Sequence, residues 1–230
     1  MIRQFPLDLR WPPHQRLDAF WPGTNVPALQ GVTDVANGGD VWLYLHGASG
    51  TGKSHLLIGA CRVAIEAGRP ARYLSLAQLP EPRADAIASL EVEGLLAIDD
   101  VQAIAGDREA ERALFDLYNR AKTAGVRVLF AANASPAELG IALPDLVSRL
   151  AMCTQCALRP LDDAGRRAML RVLAGRLGLR LDDEVLDWWF ARQPRDPASL
   201  VALLQRVDRA SLAAQRRITI PFLRELLGGR

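Results

Sequence analysis

One stretch constrains this chain more than any other: Gly47-Ala-Ser-Gly-Thr-Gly52-Lys53-Ser54, a G-x-x-x-x-G-K-S loop. It follows the apolar run VWLYL at 41–45 and opens a helical pattern from Lys53 to about Ala67, which Gly68 ends. A match to this pattern arises by chance in roughly 1 of 1,000 chains of this composition. The alternative, a plain glycine turn, is therefore the weaker reading. The chemistry explains the spacing. Small residues let the backbone curl until several amides point inward at one phosphate chain, and the helix that starts there adds its positive end. Gly47, Ser49, Gly50, Thr51 and Gly52 would form that cradle. Lys53 would reach the outer phosphates as a point charge, and the Ser54 hydroxyl would be placed to ligate Mg²⁺.

The remaining pattern predicts an α/β body followed by helices. Residues 1–40 are rich in Pro, Gly and Asn and suggest an extended arm with one short helix near 27–36. Further strands are predicted at 71–76, 94–100, 126–133 and 151–158, with a loop and short helix at 77–93 and helices at 107–124 and 143–150. Strands alternating with helices imply a parallel sheet covered on both faces. From Asp162 onward only helical patterns remain, at about 162–177, 182–193, 197–215 and 219–228, which implies a smaller second domain. The expected organisation is an arm at 1–12, an α/β domain at 13–160 and a helical domain at 161–230.

The strand tips carry the next signals. GLLAIDD at 94–100 is a continuous apolar run ending in two acids, as buried parallel strands do. A carboxylate at the tip of the strand beside the phosphate strand can hold Mg²⁺ through water, and Asp99 takes that role. Asp100 then either orients an attacking water or caps the following turn. Asn133, at the tip of the 126–133 strand and set between those two tips, either senses the γ-phosphate or serves the turn before Ser135-Pro136. Arg149, on a short helix before a strand, is either an arginine finger supplied to a neighbour's nucleotide or half of a surface ion pair.

Composition excludes more than it selects. No apolar run approaches the ~18 residues of a membrane span, and the start has no secretory signal. Three cysteines are too few for a disulfide framework, so a cytoplasmic protein is expected. A formal net charge of +2 is too weak to argue for nucleic acid. Lys53 and Lys122 are the only lysines among 28 basic residues, so a lysine at a chemically special place stands out. Cys153 and Cys156 have metal-like spacing, but three apart on a strand they face opposite sides. Trp188-Trp189 suggest helical-domain core or a partner surface. Arg206, Arg209, Arg216 and Arg217 suggest a solvated face, with a protein or DNA contact as the sharper alternative.

These elements together resemble the AAA+ ATPases: a P-loop three-layer αβα parallel-sheet domain with a smaller all-helical C-terminal lid. GASGTGKSHLL, LLAIDDVQ and LVSRL look like the DnaA branch, in which His55-Leu56 follows the P-loop. Phe20-Trp21-Pro22-Gly23 before Asn25 is similar to the segment that lies over the adenine there, which assigns Phe20, Pro22, Asn25 and His55 to the nucleotide. The stretches beginning at Val207 and Arg217 look like the Hda group of DnaA-related regulators. Gln4-Phe-Pro-Leu-Asp-Leu9 is similar to the hexapeptide by which that group and many other proteins bind the replication sliding clamp. In physical terms Phe5, Leu7 and Leu9 share one face of an extended strand, Pro6 stiffens it, and Gln4 fills a small polar pocket. The alternative is an arm packed on its own domain or fraying.

The resemblance implies a negative regulator of replication initiation that holds ADP or ATP with Mg²⁺. It would dock on the clamp, and so on DNA indirectly, and present Arg149 to ATP on DnaA. It is expected to be nucleoid-associated, with weak hydrolysis of its own. Two absences agree with this: the chain stops at Arg230 without a helix-turn-helix domain, and it carries no long N-terminal oligomerisation domain. There are departures too. The sensor arginine of the family falls at Ala198, with Arg195 three positions early, and Asn133 replaces an acid common in the branch. The alternative is a stand-alone ATPase like the DnaC or IstB helicase loaders.

Overall fold

The computed structural model describes residues 11, 12 and 14–228. The chain divides into two compact units, one of residues up to 47 and 53–158, the other of 48–52 and 159–230. The first unit runs α1 (Val26–Ala36), β1 (Leu43–His46), α2 (Lys53–Glu66), β2 (Ala71–Ser75), α3 (Arg83–Ala88), β3 (Leu95–Asp99), α4 (Arg108–Thr123), β4 (Arg127–Ala132), α5 (Pro144–Ala151) and β5 (Thr154–Ala157). All five strands are parallel, in the order β2-β3-β4-β1-β5.

Alternation along the buried strands sorts the core into two layers. Tyr44, Leu96, Ile98, Val128 and Phe130 face one side, with Ile87, Leu114, Leu117, Leu146 and Leu150 from α3, α4 and α5. Leu43, Leu45, Leu95, Ala97, Leu129 and Ala131 face the other, with Val32, Val35, Leu56, Leu57, Ala60 and Ala64 from α1 and α2. Each such leucine contributes about 1.5–3 kcal/mol by leaving water. The three-layer αβα expectation is met. One detail of it is corrected: the strand carrying Asp99 does not adjoin β1, because β4 lies between them. The fifth strand is also shorter than expected. Helix α5 runs to Ala151, so Cys153 precedes the strand and only Cys156 lies within it.

Two long-range contacts fix the parts that matter for function. Glu111 on α4 is completely buried, and its carboxylate accepts from the amides of Gly106 (2.8 Å), Ala142 (3.0 Å) and Leu143 (2.9 Å). It thereby clamps the segment that feeds α5 against α4. On the opposite face, Gly59 of α2 lets residues 14–20 lie close to the helix. A Cβ at Gly59 would stand 2.7 Å from Leu17 Cδ2 and 3.0 Å from the Leu17 nitrogen.

The second unit holds α6 (Asp163–Arg176), α7 (Asp183–Arg192), α8 (Pro197–Ala214) and α9 (Ile220–Leu227). Side-chain N-caps start three of them: Asp162 accepts from Gly165 N (2.7 Å), Asp196 from Ser199 N (2.8 Å) and Thr219 from Phe222 N (3.3 Å). Trp188 and Trp189 are buried, as core residues are. Arg206 donates to the Leu226 carbonyl and Arg216 pairs with Glu225, so both hold α9 rather than lining a free basic face. Arg216 and Arg217 lie in the turn between α8 and α9, not on either helix.

Gly59→Ala follows as a test of the α2 contact. Helix propensity alone would stabilise the variant by about 0.5–1 kcal/mol. Overpacking against Leu17 is expected to win, with a net loss of about 1–3 kcal/mol and a thermal midpoint lower by several degrees. Adding Leu17→Ala is expected to cost less than the two single changes added together, because the clash is then gone.

Candidate functional site

The loop after β1 has the backbone that its sequence demands. Gly47, Gly50 and Gly52 all take positive φ (149°, 77° and 94°), a region that residues with a Cβ seldom enter. Thr51 Oγ1 donates to the Ala48 carbonyl (2.9 Å) and closes the turn. The amides of Ser49, Gly50, Thr51 and Gly52 find no acceptor among the described residues. Lys53 Nζ folds back and donates to the Gly47 carbonyl at 2.6 Å. Burial pulls its ammonium below the ordinary value, while Asp99 and Asp100 oppose that shift.

Asp99 ends β3 with only 1% of its surface exposed. Its carboxylate accepts from the Tyr73 hydroxyl (2.9 Å), the Asp100 amide (2.9 Å) and the Ser54 hydroxyl. Burial pushes its carboxyl above the usual range. The nearby Asp100 charge adds to the effect, and the hydrogen bonds from Ser54, Tyr73 and the Asp100 amide work against it. A buried carboxylate disfavoured in this way, with a hydroxyl already on it, is a donor set that a hard divalent cation would relieve. Ser54 and Asp99, assigned separately from sequence, therefore meet in space. With Lys53, whose ammonium Asp99 and Asp100 attract, they fit the outer phosphates of a nucleotide and its Mg²⁺.

Asp100 does not cap the following turn with its side chain. It adopts the left-handed region (φ 56°) at the start of the short 3₁₀ turn Val101–Ile104. Instead Ser75, at the tip of β2, donates to one carboxylate oxygen (2.7 Å) and Gln102 donates to the other (3.1 Å). The Gln102 carbonyl in turn accepts from the Asn133 amide (3.1 Å). Ser75, Asp100, Gln102 and Asn133 thus tie together the tips of β2, β3 and β4. The Asn133 side chain is exposed, and Ser135, not Asn133, caps the following turn. Tyr73, Ser75 and Gln102 were absent from the sequence assignment. Only the VQ after the two acids hinted at Gln102.

The N-terminal segment is strapped along α2. Arg62 donates to the carbonyls of Trp11 and Pro12, and its guanidinium lies 5.7 Å from the Trp11 ring. Arg16 pairs with Glu66 (2.9 Å). His55, in the first turn of α2, bonds through Nε2 to the Arg16 carbonyl (2.8 Å) and meets the Phe20 ring edge-on at 5.4 Å. Burial holds its imidazole below the usual value. The Pro22 carbonyl accepts from the Asn25 amide (2.7 Å), and Asn25 is buried at the start of α1. Phe20 thus meets His55 at the start of α2, while Pro22 and Asn25 are joined by a backbone bond just before α1. Gln4, Phe5, Leu7 and Leu9 lie outside the described residues.

Arg149 sits elsewhere. The Thr154 amide donates to the Trp42 carbonyl, so α5 hands over to β5 at the end of the sheet where β1 begins. The phosphate loop leaves the other end of β1, roughly 13 Å of strand away. The Arg149 guanidinium is exposed and lies 5.9 Å over the Tyr118 ring. It pairs with no described carboxylate, which removes the surface ion pair as its explanation. In the helical unit Ala198 is in the first turn of α8, and Arg195 is engaged by Asp163 (2.9 Å) and the Phe190 carbonyl (2.9 Å).

Comparison with known proteins agrees with this geometry. Residues 15–157 match the model of the bacterial DnaA ATPase domain, and residues 163–227 match that of the Hda lid domain. Domain III of the Thermotoga maritima replication initiation protein DnaA superposes with a TM-score of 0.74 at 21% identity, covering 94% of this chain and 97% of that one. A replication initiator DnaA bound to AMPPCP and single-stranded DNA gives 0.72 at 20% identity, over 89% and 69%. The Thermotoga maritima RuvB branch migration motor gives 0.64 at 17%, over 93% and 71%. At these identities the likenesses speak to fold. No described helix is long and apolar enough to cross a membrane.

The Tyr73 hydroxyl matters most while Asp99 is ionised, because it is then a charge-assisted donor. Tyr73→Phe is expected to destabilise the nucleotide-free protein by about 1–3 kcal/mol at neutral pH in urea unfolding. Because burial raises the Asp99 carboxyl, the penalty is expected to shrink as pH falls through a window that opens above the ordinary carboxylate range.

Proposed function

Because this chain belongs to the bacterial DnaA ATPase family of AAA+ proteins and carries an Hda-type lid, we propose that it is a negative regulator of replication initiation that stimulates hydrolysis of ATP bound to DnaA. The observation that carries this proposal is the place of Arg149, at the opposite end of the strands from the chain's own phosphate loop. An arginine there cannot serve the nucleotide of its own subunit and is free to serve a neighbour's.

On this proposal the chain binds ADP or ATP as a platform. The loop amides and Lys53 hold the phosphates, and Ser54 and Asp99 hold Mg²⁺, which neutralises phosphate charge when bound. Phe20, Pro22, Asn25 and His55 cover the base. Intrinsic turnover is slow. Both Asp100 oxygens are occupied by Ser75 and Gln102, Asn133 is neutral, and Ala198 offers no cation where the family has a sensor arginine. Residues Gln4, Phe5, Leu7 and Leu9 dock on the sliding clamp of the replicative polymerase and bring the chain to DNA indirectly. Arg149 then meets the charge developing on the γ-phosphate of DnaA-bound ATP. An arginine finger supplies about 10³–10⁵ in rate, or roughly 4–7 kcal/mol of barrier, because it acts in a dry site. The ADP form of the initiator that results is inactive.

Three variants test this in parts. Arg149→Ala is expected to keep nucleotide and clamp binding and to lose stimulation of DnaA hydrolysis by at least 10³-fold; full stimulation would remove the finger assignment. Lys53→Ala is expected to lose fluorescent-nucleotide binding, and Asp99→Asn only its Mg²⁺-dependent part. A Gln4→Ala, Leu7→Ala double variant is expected to drop out of a pull-down on immobilised clamp, and equal retention with the wild type would overturn the arm's role.

A further inference from the structure

Helix α5 runs from the end of the sheet where strands finish to the end where they begin, and it starts without a cap of its own. Its N-cap position is Leu143, which has no side-chain acceptor, and Pro144 follows at the first helical position. Nothing in the segment itself therefore fixes where the helix sits. The partner comes from α4. Glu111, in the first turn of α4, has none of its surface exposed. One of its carboxylate oxygens accepts from the amides of Gly106 (2.8 Å) and Ala142 (3.0 Å), the other from those of Ala142 (3.0 Å) and Leu143 (2.9 Å). The negative charge also stands at the positive end of α5.

Further along, α4 meets α5 a second time. Tyr118, seven residues and two turns after Glu111 on the same face of α4, lies beneath the Arg149 guanidinium at 5.9 Å. Tyr118 is itself packed edge to face on Trp42 (4.6 Å) and stacked on Phe130 (6.2 Å). Between the two meeting points, Leu114 and Leu117 of α4 share one core with Leu146 and Leu150 of α5. Apolar burial has no direction, and a cation over a ring tolerates sliding. Hydrogen bonds are directional. Of the contacts between the two helices, those of Glu111 therefore set how far along its axis α5 stands, and with it the place of Arg149.

We propose that Glu111 is a positioning residue for Arg149. It touches no nucleotide, and it holds the helix from which the guanidinium is presented to DnaA-bound ATP. This inference rests on the function proposed above. The task calls for a carboxylate, because three amides converge and a glutamine offers one acceptor oxygen. Turned one way, a glutamine keeps Gly106 and Ala142 but sets an N–H donor against Leu143. Turned the other way, it keeps Ala142 and Leu143 but sets that donor against Gly106. Either way one end of the clamp is released. A misplacement of about 1 Å in a reacting group costs about 10²-fold in rate.

The test titrates the full chain against purified DnaA loaded with ATP, in the presence of DNA-loaded clamp. Glu111→Gln is expected to lower the maximal rate of hydrolysis at least tenfold while leaving the half-saturating concentration, nucleotide binding and clamp retention within about twofold of wild type. In the variant alone, hydrogen exchange at the amides of α5 is expected to quicken at least tenfold, with α2 unchanged. Glu111→Asp keeps the charge but falls one carbon short of the amides; it is expected to lose maximal rate as well, and carries the same test should the glutamine variant not fold. A wild-type maximal rate in the folded variant would overturn the proposal. So would a loss confined to half-saturation, or exchange in α5 no faster than in the wild type. No stimulation by the wild type itself would sink the proposed function instead, and full stimulation by the wild type with an unaltered Glu111→Gln would sink only the role of Glu111.

Discussion

The structure hinges on a missing Cβ. At Gly47, where β1 turns into the phosphate loop, a side-chain carbon would stand 2.3 Å from the carbonyl oxygen of Leu158. The Leu158 amide donates to the His46 carbonyl at 2.7 Å, so the chain leaving β5 is bound across the point where the loop departs. With glycine there, β5 pairs with β1 along its length, and the loop leaves with the φ of 149° that folds Lys53 back toward Gly47. With any other residue, either the last register of the sheet or the direction of the loop must give. The edge of the sheet and the geometry of the phosphate site are thus one constraint.

What was legible in the sequence follows from the physics of buried parallel strands. Such strands lose water on both faces, so LLAID and VLFAA stand out as unbroken apolar runs, and glycines such as Gly68 and Gly125 punctuate the helices between them. The phosphate loop was legible because its chemistry is local: one run of residues makes the cradle, the cation and the metal hydroxyl. The pairing of Ser54 with Asp99 was legible only as two separate roles. Strand order was not fixed by pattern, because β3 and β4 are both apolar and either could adjoin β1. The partners of the two acids were hidden for the same reason. Tyr73 and Ser75 lie 26 and 25 residues from the carboxylates they bond, and nothing local marks a strand's tyrosine as a carboxylate's donor. Glu111 was hidden by its own type: a glutamate on an amphipathic helix suggests solvent, and only the fold shows three amides converging on it.

The way the two acids are held explains why neighbouring residues of one type differ in character. Asp99 is buried, which disfavours its charge; hydroxyls and an amide oppose that shift, and a bound cation would relieve it further. Asp100 stands one residue on, in the left-handed region, where its oxygens turn sideways to Ser75 and Gln102. The strain of a non-glycine residue at that φ, of order 1 kcal/mol, is offset by two hydrogen bonds of similar size. The second acid is therefore held as a strut between strand tips. Because Gln102 also accepts from the Asn133 amide, a group that displaced Asn133 would be felt at Asp100 through one side chain.

A parallel sheet has two chemically distinct ends, and this chain uses them for different tasks. The tips where strands finish gather amides, Lys53 and the two acids, as open α/β sheets do wherever they bind ligands. The end where strands begin gathers aromatic rings and two cations that pair with no acid among the described residues. A subunit built in this way cannot bring its own Arg149 to its own loop without unfolding the sheet between them. It needs a second subunit for any chemistry that uses both ends. Such a division also frees the nucleotide end from any demand for turnover. On the function proposed here, the chain's own phosphate site needs only to stay loaded and keep α2 and its strap in order, and the losses at Asp100, Asn133 and Ala198 cost nothing. On that proposal the end that must stay exact is the one with Arg149, where Trp42, Tyr118 and Phe130 pack ring on ring beneath it.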